Sequence, residues 1–280
     1  MKKTVGLLWI CFFVVGGILA AQESDCDRLF LQAVRDGNIS NIKLHLSHSW
    51  GNLNAQDGAG KTGLMYAVEA QNRTIIQFLF NPPADANLRN PNNSVINPDI
   101  ADRAGMTALM HCIRTNNIPL LRFFLQHGEG RINVNHQTDD GTTALHYAAK
   151  NGLVAMVEAL LAVPSISTTL FDVNGDTAFM FAVKNRNRAM IKAFGESPRF
   201  DVLQEPRDGV PPLLRALELG ARDIVIQDIL IFCRDAILSR DSYGNGPFEY
   251  LDGSARYIDS EKESIRDMLT EARNRRKNLR

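Results

Sequence analysis

The chain has 280 residues, 45% of them hydrophobic, with only 11 prolines and a formal net charge of zero. That balance specifies a folded chain and excludes a disordered one. Zero net charge supplies no bulk field to recruit nucleic acid or an anionic surface, so nucleic acid is not expected as a partner.

The first 21 residues stand apart. Lys2 and Lys3 precede the uncharged run TVGLLWICFFVVGGILAA, and no charge follows until Glu23. This is the layout of an export signal over residues 1–21, with cleavage after Ala20 or Ala21. The run also just reaches the roughly 18 residues of a spanning helix, which keeps an uncleaved anchor open as the alternative. Neither Cys11 nor Cys26 follows the small residues of a lipoprotein signal, so lipidation is not expected. The mature chain is expected to be exported, either periplasmic or secreted, and in contact with a membrane only if the signal is retained.

Self-similarity follows. Leu29 to Val34 and Ile42 to Leu46 form a first apolar helix pair around Gly37-Asn38. A Gly-x-Thr-x-Leu pattern then begins each further copy. It occurs as Gly60-Lys61-Thr62-Gly63-Leu64, Gly105-Met106-Thr107-Ala108-Leu109, Gly141-Thr142-Thr143-Ala144-Leu145 and Gly175-Asp176-Thr177-Ala178-Phe179. Weaker copies start at Gly209 and Gly244, and the third positions lie 45, 36, 34, 34 and 35 residues apart. After each start come small residues, a polar break and a second apolar helix, as in TIIQFLF from Thr74 or PLLRFFL from Pro119. Thr after the Gly turn is placed to cap the first helix by accepting an orphan N–H. No such unit buries its apolar face alone, so stacking is obligatory.

Thr143-Ala144-Leu145-His146-Tyr147-Ala148-Ala149, with Asn151-Gly152 after it, resembles the signature of the ankyrin repeat, a unit of β-turn plus two helices. The resemblance runs over residues 25–251. It implies an all-α ankyrin-repeat solenoid of about six to seven units, with His146 hydrogen-bonding neighbouring turns. The signature His place is held elsewhere by Met65, Met110, Met180, Leu214 and Glu249.

Within the second copy, AQDGAGKT (Ala55 to Thr62) nearly spells a phosphate-binding loop. Such a loop needs a strand before it, and SHSWGNLNAQ is not an apolar strand. Lys61 also occupies a slot held elsewhere by Met106, Thr142, Asp176 and Val210. The stretch is therefore a repeat turn.

The 45-residue interval carries an insertion at 81–99, where 19 residues include four prolines and six asparagines. This composition precludes helix or strand. Such a loop is either a partner contact or a tolerated surface insertion. Residues 252–280 read as a C-terminal capping helix and basic tail, with a capping box at Ser260 and Glu263 and an apolar stripe of Ile265, Met268, Leu269 and Ala272.

Chemistry-bearing groups are sparse. His45 and His48 lack a third ligand and read as a helix end, so no metal or other cofactor is expected. Cys26, Cys112 and Cys233 fall in separate repeats, too far apart for an internal disulfide, and Cys112 fills a small buried slot. Pairing between molecules is open for Cys26 or Cys233. Asn38, Asn72 and Asn92 match the glycosylation pattern, which matters only in a eukaryotic source. No nucleophile, metalloprotease or redox motif is present. The chain reads as no enzyme, without a small-molecule substrate.

In ankyrin arrays the turn tips and first helices line a concave groove where partners usually bind, and the resemblance places Tyr66, His111, Tyr147, Phe181, Arg215 and Tyr250 on that side. Four of these six are Tyr or Phe, a class enriched at binding hot spots; the alternative is that the rings pack between repeats. Three residues further on, Arg114, Lys150 and Lys184 are basic, which points to a modestly acidic partner surface. The expected function is an exported, monomeric scaffold that binds another protein without catalysis. The alternatives are a cell-envelope effector or enzyme-accessory protein, and a membrane-tethered assembly platform.

Overall fold

The computed structural model describes residues 19–47, 52–81, 95–200, 202–203 and 209–278. Residues 1–18 of the expected export signal, His48, the Asn92 acceptor and residues 82–94 of the insertion lie outside them. The described residues form fourteen α-helices and no strand.

The chain divides into two compact units, Met1–Ile132 and Asn133–Arg280. The first holds three helix pairs: α1 (Leu19–Arg35) with α2 (Ile39–Ser47), α3 (Gly63–Glu69) with α4 (Arg73–Phe80), and α5 (Ala108–Arg114) with α6 (Ile118–His127). The second holds four: α7 (Ala144–Lys150) with α8 (Val154–Leu161), α9 (Ala178–Lys184) with α10 (Arg188–Glu196), α11 (Pro212–Glu218) with α12 (Asp223–Phe232), and α13 (Pro247–Gly253) with α14 (Asp259–Lys277). A 3-10 turn, Arg234–Leu238, follows α12.

Within each unit, like packs on like. First helices stack as α1 on α3 and α3 on α5, or as α7, α9, α11 and α13 in a row; second helices stack beside them. The repeated Leu and small residues explain this. Leu64, Ala67 and Val68 of α3, and Leu145, Ala148 and Ala149 of α7, are essentially without solvent contact. Each buried Leu contributes about 1.5–3 kcal/mol. Small residues set the spacing: a Cβ on Gly195 of α10 would fall 2.4 Å from the Phe232 carbonyl oxygen at the end of α12.

Local signals decide where helices start. Thr62 and Thr143 cap α3 and α7 by accepting from Met65 N–H (3.3 Å) and His146 N–H (3.2 Å). Thr107 and Thr177 sit at the same place without a side-chain cap bond, so the expected cap is made in two of four copies. Four of the seven second helices are capped by asparagine: Asn38, Asn72, Asn117 and Asn187 accept from the N–H three residues on. The residue just before the second helix's cap region takes a left-handed conformation, held by Gly37, Gly152 and Gly220 but also by Gln71 (φ 54°), Asn116 (φ 50°) and Arg186 (φ 51°).

The C-terminal segment is helical as expected, and Ile265, Leu269 and Ala272 are buried. It begins at Asp259, but its capping box differs from the expected one. Glu261 accepts from Ile258 N–H at 3.0 Å, so the box closes two residues before Ser260–Glu263. Just before this box, Tyr257 is buried and its hydroxyl donates to the Ala221 carbonyl (2.9 Å), which anchors the entry to the helix. α14 packs against α12 and α13 and so also serves as the second helix of the seventh pair.

Candidate interaction surface

Each described turn is built by one side chain. Asp57 Oδ1 accepts from the amides of Ala59 and Lys61, both at 2.9 Å. Asp102, Asp172 and Asp241 repeat this with the residues two and four further on. Thr138 takes the place in the remaining copy, accepting from Thr142 N–H at 3.0 Å. Three residues on, Gly60, Gly105, Gly141, Gly175 and Gly244 close the turn at φ between 73° and 86°. The phosphate-loop look-alike is one of these turns: Lys61 bonds Glu69 at 2.8 Å, and its Nζ lies 5.5 Å from the centre of the Tyr66 ring.

Successive turns are clasped by an Asn-x-Gln pair. Asn54 donates to Val95 O (3.0 Å) and accepts from Asn97 N–H (2.8 Å), which docks the described end of the insertion. Gln56 donates to both Gly60 O and Ala101 O. In the second unit Asn135 and Gln137 do the same with Ser165, Ser167, Gly141 and Phe171. Sequence reasoning passed over these four residues, although the matching stretches LNAQDG and VNHQTD carried the signal.

The expected contact residues lie on the first helices. In α3, Tyr66 and Glu69 are half-buried while every other residue is buried; in α7 the residues that reach solvent are Tyr147 and Lys150, and in α9 Phe181 and Lys184. This is an i, i+3 stripe, one narrow face of an otherwise enclosed helix. Arg215 and Glu218 continue the register on α11, and Tyr250 on α13. His111 departs from the pattern, being 1% exposed.

The reason is a polar network in the first unit. The Tyr66 hydroxyl donates to Asp57 and accepts from Arg35, which also bonds Asp57 (2.8 Å) and stacks 4.0 Å over the Tyr66 ring. Burial works to raise the Asp57 carboxyl, but the bonds from Tyr66, Lys61 and Ala59 and the charge of Arg35 hold it below its usual value. One helical turn on, Glu69 takes Lys61, Arg114 and His111 Nδ1 (2.9 Å). His111 Nε2 lies 2.8 Å from Asp102 Oδ2. Against the cost of burial, these partners also bring Glu69 and Asp102 below their ordinary values.

The second unit is linked differently. His146 accepts at Nδ1 from its own Thr143 cap and reaches the Asp176 carbonyl oxygen at 3.1 Å through Nε2, so it joins neighbouring turns as the resemblance implies. Burial lowers its pKa. Phe181 packs edge-on against the His146 ring. Lys184 pairs with Asp176, and Arg215 with Glu218. Tyr250 donates to Asp241 (3.1 Å), and its hydroxyl is pushed up to about 12 by burial and that carboxylate. The basic row expected at Arg114, Lys150 and Lys184 is therefore largely compensated within the chain. Arg114 and Lys184 hold carboxylates, and Lys150 faces Asp140, whose carboxyl is lowered first by its bond to Thr138.

Cys112 and Cys233 are buried free thiols, each raised by desolvation to about 12. That burial removes Cys233 from the thiols expected to pair between molecules. Among the described residues no group of three or more His, Cys, Asp or Glu could hold a metal, and no helix is long and apolar enough to cross a membrane. Two open hollows, of about 500 and about 400 Å³, lie in the second unit, the larger against Glu218, Glu249 and Tyr250 and the smaller along the turns at Thr138 and Asp172.

Known proteins agree with the repeat. Ankyrin-repeat family models match residues 48–96 and 91–172. An ankyrin repeat protein of Acanthamoeba polyphaga mimivirus is 29% identical over 109 residues, which cover 39% of this chain and 12% of that protein. The chain thus spans about an eighth of the length of that curated relative. Among solved structures, the ankyrin repeat domain of Bcl-3, described as a unique member of the IkappaB protein family, superposes with a TM-score of 0.67. That match is at 18% identity, over 85% of this chain and 97% of that one. Ankyrin repeats suggest a protein-interaction scaffold, and folds of this kind are typically non-enzymatic. The chain thus has the fold of ankyrin-repeat proteins, and ankyrin-repeat models match it over residues 48–172.

Proposed function

We propose that the chain is an exported, non-enzymatic scaffold that binds another protein through its turn tips and the exposed stripe of its first helices. The observation that carries this is the stripe itself. Tyr66, Tyr147 and Phe181 are held half-exposed on helices whose remaining surface is buried, each beside a charged residue one turn on. Aromatic rings fixed on a packed helix lose little conformational entropy when a partner covers them. Export rests on the Lys2-Lys3 start and the apolar run to Ala21. The scaffold acts as a monomer, and periplasmic or extracellular space is its place of work.

Affinity capture from the native envelope tests the binding reading, using the full chain and a Tyr66→Ala, Tyr147→Ala, Phe181→Ala variant. The same partner should be retained by the first and lost by the second while both remain folded. Equal retention would remove the stripe from the account. N-terminal sequencing of the exported protein should begin at Ala21 or Gln22; an intact Met1 or Lys2 would replace secretion with tethering.

A further inference from the structure

The first unit carries its charges in layers. Arg35 and Arg114 have side chains 41% and 45% exposed, whereas the carboxylates beneath them, Asp57 and Glu69, are 20% and 24% exposed. Lys61 lies between, bonded to Glu69 and facing the Tyr66 ring. An approaching chain therefore meets N–H donors first and oxygens second. Tyr66 and Glu69 are three residues apart on α3, so the two guanidiniums, one from α1 and one from α5, stand on either side of a single helical turn.

Both guanidiniums are pre-placed. Arg35 is stacked on Tyr66 and bonded to Asp57, and Arg114 is bonded to Glu69 and lies 3.0 Å from His111 Nδ1. Among the described residues these bonds use Nη2 alone. The Nε and Nη1 donors on the other edges of each planar fork remain to meet a carboxylate. A side chain already fixed by stacking and one ion pair has less rotamer entropy to lose. In the second unit the order is mixed: Lys184, at 37%, lies outside Asp176, at 15%, but Glu218, at 50%, lies outside Arg215, at 24%.

We infer that Arg35, Lys61 and Arg114 form a docking surface for an acidic segment of a partner protein, with Arg35 and Arg114 each receiving a carboxylate across Tyr66. This rests on the scaffold reading above and adds the chemistry of the partner and the unit that recognises it. The half-buried carboxylates act as positioning groups. They aim the cations and keep the surface close to neutral overall, so recognition depends on local geometry more than on bulk attraction.

A fluorescent 12-residue peptide of alternating Glu and Ser, titrated into the full chain at 50 mM salt, tests the inference by anisotropy. Saturable binding is expected, weakened at least fivefold by Arg35→Gln with Arg114→Gln and less than twofold by Lys150→Gln with Lys184→Gln. Thermal unfolding verifies that both variants fold. NMR should shift the Nε–H signals of Arg35 and Arg114 on peptide addition. No saturable binding, equal weakening by the two double variants, or equally tight binding of a 12-nucleotide single strand through the same arginines would each overturn it. A native partner that is lost with Tyr66→Ala but indifferent to Arg35→Gln with Arg114→Gln would overturn this inference and leave the scaffold reading standing.

Discussion

In the first unit, the turn aspartate and the residue nine positions on are bonded twice over, Asp57 to Tyr66 and Asp102 to His111. In the second unit the same register holds Thr138 with Tyr147 and Asp172 with Phe181, and among the described residues neither pair makes that bond. Asp241 and Tyr250 make it again. Both units nevertheless stack their helices alike, with the same turn glycines and the same Asn-x-Gln clasp. The difference teaches that this register is not what holds the repeat together. Left-handed glycines and buried Leu and Ala positions do that, and the exposed first-helix positions are free to carry either a polar network or packed rings.

The strongest way to break the comparison is to attack what the units share. A Cβ on Gly60 would sit 2.9 Å from Arg103 N, and one on Gly141 2.7 Å from Phe171 O, both at positive φ. Gly60→Ala and Gly141→Ala should each cost about 2–4 kcal/mol from left-handed strain plus clash, as read by chemical denaturation. A large cost in one unit alone would show that the frameworks are not equivalent.

Next come the links particular to each unit. His146→Leu leaves the Asp176 carbonyl and the Thr143 cap short of a partner and should cost about 1–2 kcal/mol at pH 7.5. Burial lowers the His146 pKa from its ordinary 6.5, so the unfolded chain takes up the proton first and the native state loses stability as pH falls below 6.5. The difference between wild type and His146→Leu should therefore shrink below pH 6.5; a difference that grows on acidification would contradict the burial argument. Tyr66→Phe removes the bonds to Asp57 and Arg35 and should cost about 1 kcal/mol, against a change within about 0.5 kcal/mol for Tyr147→Phe. Equal effects would erase the contrast between the units.

The smallest effect sharpens the shared framework. Arg186 and Gln71 occupy the left-handed place that Gly152 and Gly37 fill elsewhere. Arg186→Gly should stabilise by about 0.5 kcal/mol, the relief of strain less the greater entropy of an unfolded glycine. Gln71→Gly should gain less, because Gln71 accepts a bond from Asn117.

Much of the fold was legible because its signals are local and repeated. The spacing of Gly60, Gly105, Gly141 and Gly175 gave the register, and the rejection of a nucleotide loop at Lys61 followed from that register. The polar network was not legible. Whether Tyr66 or His111 finds an aspartate depends on a side chain nine residues earlier, and whether Arg114 is free depends on Glu69, 45 residues away. No local pattern marks such pairs. That Arg114, Lys150 and Lys184 are basic at one repeat position was legible, while their pairing with Glu69, Asp140 and Asp176 required the turns and helices to be brought together. The anchoring of Tyr257 on Ala221 just before α14 is likewise a contact across 36 residues.

The most direct test of the central claim is hydrogen–deuterium exchange on the full chain, free and bound to its captured partner. Added protection should fall on the turns at Asp57, Asp102 and Thr138 and on α3, α5, α7 and α9. Protection confined to α4, α6, α8 and α10, with the turns unchanged, would contradict the account.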